Sequence, residues 1–433
     1  MAPDPLQPIY PLLRRTIDPF GFMVATLRAQ QAWLDHPREL SGRLTEYYRQ
    51  LGEVNLQVAG RCCGVKLTDA VPPVPYDERF QSPIWEENPV YDLLKEHYLL
   101  TTRWIEDSLY DTPELDEKTR HKAAFFMRQL LNALSPTNFF WTNPEVMWET
   151  AVSGGQNLLE GYRLWLEDLR RGTVTMVDED DFRLGETLAT TPGKVVFRNE
   201  LLELIQYAPQ TGKVHAVPVV IIAPWINKYY ILDLDAEKSM VRYLVSRGFT
   251  VFITSWKNPD ALMRDTTFGD YLFKGGWKAL EVAREICDSP TAHAVGYCIG
   301  GTLLATLMAW MNRGPEKERS IASWTLFTSL VDFSHPGEIE VFIDEESIEW
   351  LERQMEEKGY LDGENMAWSF RMLRSNSLLW RYVVNNYLFG HEPPPLDVLY
   401  WNTDTTRLPA AMHSEYLRRF YLENRLVNPD DLE

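Results

Sequence analysis

At Gly296-Tyr297-Cys298-Ile299-Gly300, a short apolar run typical of a strand passes directly into a helical pattern. This context and spacing match the nucleophile elbow, usually G-x-S-x-G, with cysteine in place of serine. The turn needs small flanking residues, because a Cβ atom at Gly296 or Gly300 would collide with neighbouring backbone. The N-terminus of the following helix carries partial positive charge, which favours a thiolate and a developing oxyanion. We therefore predict that Cys298 is a catalytic nucleophile; the alternative is a buried structural cysteine beside a tight turn.

A cysteine at this position also indicates the kind of substrate. Thiols exchange readily with thioesters, and an acyl group carried on cysteine is itself a thioester, which stays activated for transfer to another acceptor. Plain ester hydrolysis more often uses serine. The residue type therefore favours acyl transfer from a thioester.

Short β-rich runs alternate with helical runs around this turn. The predicted strands are 217–223, 250–256, 292–297 and 323–331, and the predicted helices are 236–247, 271–287 and 299–312. The first strand is apolar throughout, as expected for a strand buried on both faces. Strand–helix alternation at this spacing predicts an α/β fold with a doubly wound, mostly parallel sheet.

The chain divides into three regions by its sequence pattern. Residues 1–190 are predicted to form a helical N-terminal domain, residues 191–334 the α/β core, and residues 335–433 a helical cap region. Turn signals at 135–138 and 142–144 break the first region into separate helices. No convincing core strand follows the core region, so we expect the sheet to be built from that region alone.

The loop after the first predicted strand is the candidate for a second part of the site. In a nucleophile-elbow fold, one oxyanion donor is the backbone N–H after the nucleophile, here Ile299, and another comes from this loop. Ile226 or Asn227 would supply it; an ordinary turn with exposed polar residues is the alternative. Tyr229 of the same loop is a further candidate for substrate binding.

Asp260 is the remaining candidate for substrate binding. It lies just past the predicted strand 250–256, on the rim where sheets of this type bind ligands. Trp256 lies on the same rim. Because Asn-Pro-Asp is also a strong turn signal, turn formation is the competing interpretation of Asp260.

The composition argues against several partners. The 43 basic and 62 acidic residues give a net charge of −19, which suits neither nucleic-acid phosphates nor anionic lipid surfaces. The longest apolar stretch, 303–311, is too short to span a bilayer, and no signal peptide is recognisable. The 4 cysteines show no metal-type spacing and fit reduced thiols. We therefore expect a cytoplasmic protein without a transmembrane segment, a metal or a cofactor.

Several segments together resemble class I polyhydroxyalkanoate synthases. The segments are Pro224-Trp225-Ile226-Asn227-Lys228-Tyr229-Tyr230-Ile231-Leu232-Asp233-Leu234, Ser255-Trp256-Lys257-Asn258-Pro259-Asp260, Gly296-Tyr297-Cys298-Ile299-Gly300-Gly301, Val341-Phe342-Ile343-Asp344-Glu345, Tyr382-Val383-Val384-Asn385-Asn386-Tyr387-Leu388, Tyr400-Trp401-Asn402, Ser135-Pro136-Thr137-Asn138-Phe139 and Thr142-Asn143-Pro144-Glu145. The resemblance runs from about residue 85 to the end of the sequence and rests on long, ordered and independent motifs.

The resemblance implies an α/β-hydrolase-type fold and an acyltransferase. The family polymerises (R)-3-hydroxyacyl-CoA thioesters into polyester and releases CoA, which is substrate rather than cofactor. Cys298 would take the acyl group, a histidine would act as general base, and an aspartate would activate the 3-hydroxyl of the incoming unit or orient the histidine. The resemblance also implies a homodimer that works on the surface of polyester granules.

The sequence departs from the family pattern after the cap region. The family's aspartate and histidine lie on two further strands beyond the segment matching 422–432, where this sequence ends. The histidines after the elbow are His335, His391 and His413, and none follows a recognisable core strand. We therefore expect a sheet without its last strands and a chain that does not complete the catalytic cycle alone.

Several interpretations of this departure stay open. The sequence could be a truncated product, one part of a split enzyme, or a catalytically inactive relative. An inactive relative would bind granules or a protein partner, although the retained elbow argues against long-standing loss of catalysis. A cysteine thioesterase or hydrolase is a further alternative, against which the loop 227–230 and the large helical domain speak.

Overall fold

The chain forms two compact units in the computed structural model, which describes residues 9–65, 71, 77–313 and 320–432. One unit comprises Met1–Met176 with Arg371–Pro393, and the other comprises Val177–Phe370 with Pro394–Glu433. The sequence pattern predicts boundaries near 190 and 334. The structural division falls at 176 instead and assigns residues 371–393 to the first unit.

The first unit is helical in its described residues. Its α-helices are α1 (Tyr10–Thr16), α2 (Phe22–Asp35), α3 (Pro37–Cys62), α4 (Ile84–Glu87), α5 (Pro89–Tyr110), α6 (Glu117–Ala133), α7 (Pro144–Ser153) and α8 (Gln156–Arg171). Side chains of Asn88, Asp116 and Asn143 accept hydrogen bonds from the first turns of α5, α6 and α7, as N-cap residues do. A short 3₁₀ turn, Pro136–Asn138, separates α6 from α7, where turn signals are predicted.

Two π-helical turns from later in the chain, Asn376–Trp380 and Val383–Leu388, complete this unit. The hydroxyl of Tyr387 donates to Asp168 at 2.7 Å, and the Asn157 side-chain amide donates to the Leu388 carbonyl at 2.8 Å. Gly161 on α8 lies so close that a Cβ atom there would be 2.0 Å from the Tyr387 carbonyl oxygen. The small and polar face of α8 is therefore the one that packs.

The second unit contains a sheet of six strands, in the order β1-β2-β4-β3-β5-β6. The strands are β1 (Gly193–Arg198), β2 (Leu202–Tyr207), β3 (Val219–Ile222), β4 (Val251–Trp256), β5 (Ala292–Tyr297) and β6 (Ile321–Phe327). Strand β2 is antiparallel to β1 and β4, whereas β3 is parallel to β4 and β5, and β5 is parallel to β6. The predicted α/β-hydrolase-type fold is confirmed, and the β1–β2 hairpin is an addition that the sequence analysis missed.

The second unit also contains eight α-helices among its described residues. They are α9 (Met240–Ser246), α10 (Phe268–Asp270), α11 (Lys278–Ile286), α12 (Ile299–Met311), α13 (Glu345–Lys358), α14 (Gly363–Leu373), α15 (Asp397–Thr403) and α16 (Ala410–Glu415), with α14 extending into the first unit. Val220 and Ile222 of β3 join one buried cluster, and Val219 and Ile221 join the cluster on the opposite face. All four residues are buried, which explains the uninterrupted apolar run.

Strand β6 lies at the edge of the sheet and pairs with β5 alone among the described strands. Most of its side chains are exposed, including Trp324 and Phe327. A strand that is unpaired on one side and carries apolar side chains there is a surface that favours association. The described residues after it contribute only a separate pair of short strands, β7 (Tyr360–Leu361) and β8 (Leu408–Pro409).

Candidate active site

The Cys298 residue sits between β5 and α12 in a strained backbone conformation. Its φ is 55° and its ψ is −128°, a region that non-glycine residues rarely adopt. The Cys298 N–H donates to the Phe327 carbonyl of β6 at 2.9 Å, and the Gly301 N–H donates back to the Cys298 carbonyl at 2.9 Å. These bonds hold the turn so that the thiol stands at the start of α12, as a nucleophile elbow requires.

The positions two residues before and two residues after Cys298 have room only for glycine. A Cβ atom at Gly296 would lie 2.4 Å from Gly301 Cα, and one at Gly300 would lie 2.3 Å from the Ile222 carbonyl oxygen. Both distances are far below van der Waals contact, so any side chain there would displace the backbone. The approach of Gly300 to Ile222 also sets the start of α12 against the end of β3, where the loop 224–230 begins.

Burial and one backbone donor act on the Cys298 thiol in opposite directions. Burial raises the pKa of Cys298 above that of a free cysteine, because it disfavours the thiolate. The Ile299 N–H bonds to the sulfur and lowers the pKa, but burial is the larger effect. Cys298 therefore rests mainly as a thiol at neutral pH and needs a base to become a nucleophile.

The loop 224–230 is anchored through its carbonyl groups. The Thr406 N–H donates to the Ile226 carbonyl at 3.1 Å, and the Thr406 hydroxyl donates to the carbonyls of Trp225 and Ile226. Asn227 forms an isolated antiparallel bridge with Thr405. Ile226 and Asn227 thus lie on a loop that Thr405 and Thr406 hold in place, shortly after the end of β3. Their role as oxyanion donors stays a prediction.

Tyr229 and Asp260 occupy different surroundings. Tyr229 is the first residue of a 3₁₀ turn and is half-buried. Its pKa is raised mainly by burial and, to a smaller extent, by the nearby charge of Asp233. Asp260 caps the turn Ala261–Met263 by accepting from the Leu262 N–H at 2.9 Å, and it pairs with Lys257 at 3.0 Å. Asp260 therefore performs the turn chemistry that its Asn-Pro-Asp context indicates, and substrate binding by either residue stays a prediction.

No histidine of the described residues hydrogen-bonds to the Cys298 sulfur. His335 is exposed, and His391 is exposed and stacks on Phe389 in the first unit. His413 is fully buried in α16, and burial lowers its pKa to about 4, so it is neutral near pH 7.

Two tyrosines near Cys298 were missed by the sequence analysis. Tyr416 and Tyr421 lie on the π-helical turn Tyr416–Leu422, and their rings meet at right angles with centroids 5.4 Å apart. Both are close enough to Cys298 that a thiolate charge there would raise their pKa. Their sequence context is an ordinary helical pattern, which carries no signal that they approach the nucleophile.

The sheet order, the strained elbow and the thiol at its apex define an α/β-hydrolase-type protein with cysteine at the nucleophile position. The family model described as Poly-beta-hydroxybutyrate polymerase (PhaC) N-terminus matches residues 76–244. A poly(3-hydroxyalkanoate) polymerase of Methylorubrum extorquens is 45% identical over 410 residues, which are 94% of this chain and 67% of that protein. The chain therefore belongs to the poly(3-hydroxyalkanoate) polymerase family, whose members are acyltransferase enzymes.

Two other relatives also match most of the chain. The poly(3-hydroxyalkanoate) polymerase subunit PhaC of Rhizobium meliloti (strain 1021) is 41% identical over 414 residues, covering 94% of this chain and 67% of that protein. The corresponding subunit of Cupriavidus necator is 42% identical over 362 residues, covering 82% and 61%. The chain thus spans about two thirds of the length of these relatives.

Solved structures outside the family are only distantly similar. A carboxyl esterase of Bacillus coagulans is 12% identical with a TM-score of 0.26, covering 48% of this chain and 69% of that chain. The fold assignment rests on the strand order and the elbow instead. No helix in the described part of the chain is long and apolar enough to cross a membrane.

Proposed function

We propose that this chain takes (R)-3-hydroxyacyl groups from CoA thioesters onto Cys298 and supports their polymerisation into polyester. The observation that carries the proposal is the strained cysteine elbow in a member of the poly(3-hydroxyalkanoate) polymerase family. No resident cofactor is part of the proposed reaction. We propose that the chain acts in the cytoplasm. The family resemblance alone suggests that it forms a homodimer.

The acylation step follows from the elbow. The Cys298 sulfur, after losing its proton to a base, attacks the thioester carbonyl carbon, and the negative charge moves to the carbonyl oxygen. Backbone N–H groups of Ile299 and of Ile226 or Asn227 would stabilise this oxyanion. The carbon–sulfur bond to CoA then breaks, and the CoA thiolate takes up a proton as it leaves. Cys298 retains the acyl group as a thioester.

Polymerisation requires a second transfer. The 3-hydroxyl oxygen of one unit attacks the thioester carbonyl of another, which forms an ester bond and releases the thiolate that carried it. A base must remove the hydroxyl proton in this step. The raised pKa of Cys298 makes a base necessary in the first step too. Turnover by this chain thus depends on a base that its described histidines do not bring to the sulfur.

The test measures CoA released from (R)-3-hydroxybutyryl-CoA by the purified chain. We expect release by the native chain and by Cys287→Ala, whose cysteine ends α11 away from the elbow, and none by Cys298→Ala. One equivalent of CoA per chain would show acylation without a base to continue the cycle, and many equivalents with polymer would show a complete cycle. CoA release that persists in Cys298→Ala would contradict the proposal. If the acyl group appeared as free 3-hydroxybutyrate, the activity would be that of a thioesterase instead.

An exposed apolar face on the first unit supports association with polyester granules. It comprises Trp141 before α7, Met147, Trp148 and Val152 on α7, and Leu159, Tyr162, Trp165 and Leu169 on α8, all of them exposed. On α8 this face is opposite the packed face that contains Gly161 and Asp168. Because these eight exposed side chains are uncharged and mostly large, an uncharged surface such as the polyester suits them.

A further inference from the structure

The two edges of the six-stranded sheet differ in how they are protected. Among the described strands, β1 pairs with β2 alone and β6 pairs with β5 alone. Lys194 and Arg198 give β1 positive charges, and charged side chains on an edge strand hinder its pairing with another chain. Strand β6 contains neither a charged residue nor a proline. The edge at β6 therefore lacks the protection that the edge at β1 has.

The side chains of β6 are accessible. Residues 322–325 are all exposed, and so is Phe327. Trp324, in the middle of the strand, is 46% exposed. Exposed apolar side chains on an open edge strand form a surface that gains free energy when another strand covers it.

The backbone of β6 also has groups directed to the open side. The Phe327 carbonyl accepts from the Cys298 N–H at 2.9 Å, so the backbone groups of Phe327 point towards β5 and the elbow. Successive residues of a strand direct their N–H and C=O groups to opposite sides. Those of Leu326 therefore point away from β5, and so do those of Trp324. Such groups are the template on which a further strand can pair.

A second copy of β6 fits this template. Two antiparallel copies related by a two-fold axis at Thr325 place Thr325 opposite its own equivalent and Trp324 opposite Leu326. The outward backbone groups of Trp324 and Leu326 then form the hydrogen-bonded pairs, and the two Thr325 residues form the closer pair between them. Each chain has a net charge of −19, so two copies repel each other least where both surfaces are uncharged, as along β6.

We propose that two copies of this chain associate by pairing their β6 strands edge to edge, which joins the two sheets into one. Backbone hydrogen bonds supply the main attraction, as in other cases of strand addition. The Phe327 carbonyl, at the end of the paired strand, holds the Cys298 N–H, so the interface adjoins the nucleophile elbow. The inference assigns a surface to self-association and does not depend on acyl transfer by Cys298.

The experiment measures the mass of the purified chain by sedimentation equilibrium over a range of concentrations. We expect the native chain to approach twice its 50.3 kDa. Thr325→Lys places like charges opposite each other at the two-fold axis and should raise the dissociation constant roughly tenfold or more, as should Thr325→Glu. Val195→Lys, at a position 45% exposed on the β1 edge, is the matched control and should leave the dimer unchanged. Trp324→Ser adds no charge and keeps the backbone pairing, so it should also remain dimeric.

An equimolar mixture of the Thr325→Lys and Thr325→Glu chains distinguishes specific pairing from damage to the fold. Opposite charges then face each other across the axis, so we expect the mixture to recover the dimer. A mixture that stays monomeric would overturn the proposal. So would a dimer that persists in both single variants, since the interface would then lie elsewhere. A native chain that is monomeric at every concentration would also overturn it and would leave β6 to a strand from a different protein. The assay of CoA release tests the proposed function separately from all these outcomes.

Discussion

At the scale of single residues, the site depends on glycines that leave no room for a side chain. A Cβ atom at Gly300 would lie 2.3 Å from the Ile222 carbonyl oxygen and 2.9 Å from that of Ala223. Gly300→Ala must therefore move α12 away from β3, together with the Ile299 N–H. We expect a loss of about 1–3 kcal/mol in the free energy of unfolding and a changed rate of Cys298 alkylation by iodoacetamide.

The matched control for Gly300→Ala is Gly52→Ala. Gly52 lies inside α3, and a Cβ atom there would meet nothing within 4 Å. Alanine is the better helix former, so this substitution should stabilise by roughly 0.5–1 kcal/mol. Urea unfolding measures both changes. Equal effects of the two substitutions would contradict the steric account of the elbow.

His413 should make the stability of the second unit depend on pH. Burial lowers its pKa from 6.5 to about 4, so the folded state keeps it neutral while the unfolded chain binds a proton below pH 6.5. The free energy of unfolding is therefore unaffected by His413 above pH 6.5 and falls by about 3 kcal/mol as the pH falls towards 4. In His413→Gln, the urea concentration at the unfolding midpoint should change less between these pH values than it does in the native chain. The same substitution at the exposed His391 should not.

At the scale of secondary-structure elements, α7 and α8 expose apolar side chains where a helix normally shows polar ones. Trp148 is 69% exposed and Leu159 is 72% exposed. If this face contacts polyester, burying these side chains drives adsorption, at up to roughly 1.5–3 kcal/mol for each side chain that is fully buried. Trp148→Ser with Leu159→Ser should then weaken sedimentation with poly(3-hydroxybutyrate) particles about tenfold or more.

The control for this prediction is Trp324→Ser on β6. Trp324 is also exposed, at 46%, but lies in the other unit. If the α7–α8 face is the contact, Trp324→Ser should bind the particles like the native chain. Equal losses in both variants would show that any exposed aromatic side chain suffices, and the assignment of this face would then be wrong.

The same scale shows what sequence could and could not predict. Strand β5, helix α12 and the Cys298 elbow were predictable because apolar runs and glycine spacing are local signals. The β1–β2 hairpin was missed, since β1 is largely exposed and lacks a buried pattern. The predicted helix 271–287 begins with a π-helical turn, Tyr271–Trp277, which apolar spacing does not distinguish. Tyr416 and Tyr421 reach Cys298 through tertiary packing alone, so no local pattern could reveal them.

At the scale of the whole molecule, the path of the chain matters more than its linear division. Residues 371–393 return to the first unit, where Tyr387 donates to Asp168 and Asn386 donates to the Thr175 carbonyl at 2.7 Å. The sequence pattern assigns these residues to one cap region, because helical periodicity does not show which unit a helix packs on. The docking of this segment rests on the close approach of α8, which Gly161 permits.

Gly161→Ala tests this arrangement. Its Cβ atom would lie 2.0 Å from the Tyr387 carbonyl oxygen, so α8 and the turn Val383–Leu388 must separate. We expect faster hydrogen exchange in 156–171 and 383–388, with the hydrogen bonds of Asn157 and Tyr387 weakened, while the exchange of β5 and α12 stays at the native rate. The higher helix propensity of alanine would by itself slow hydrogen exchange in α8, so faster exchange can be attributed to the steric clash. If exchange in 383–388 stayed unchanged, the grouping of this segment with the first unit would be wrong; if it rose together with that of β5, the two units would have to unfold as one.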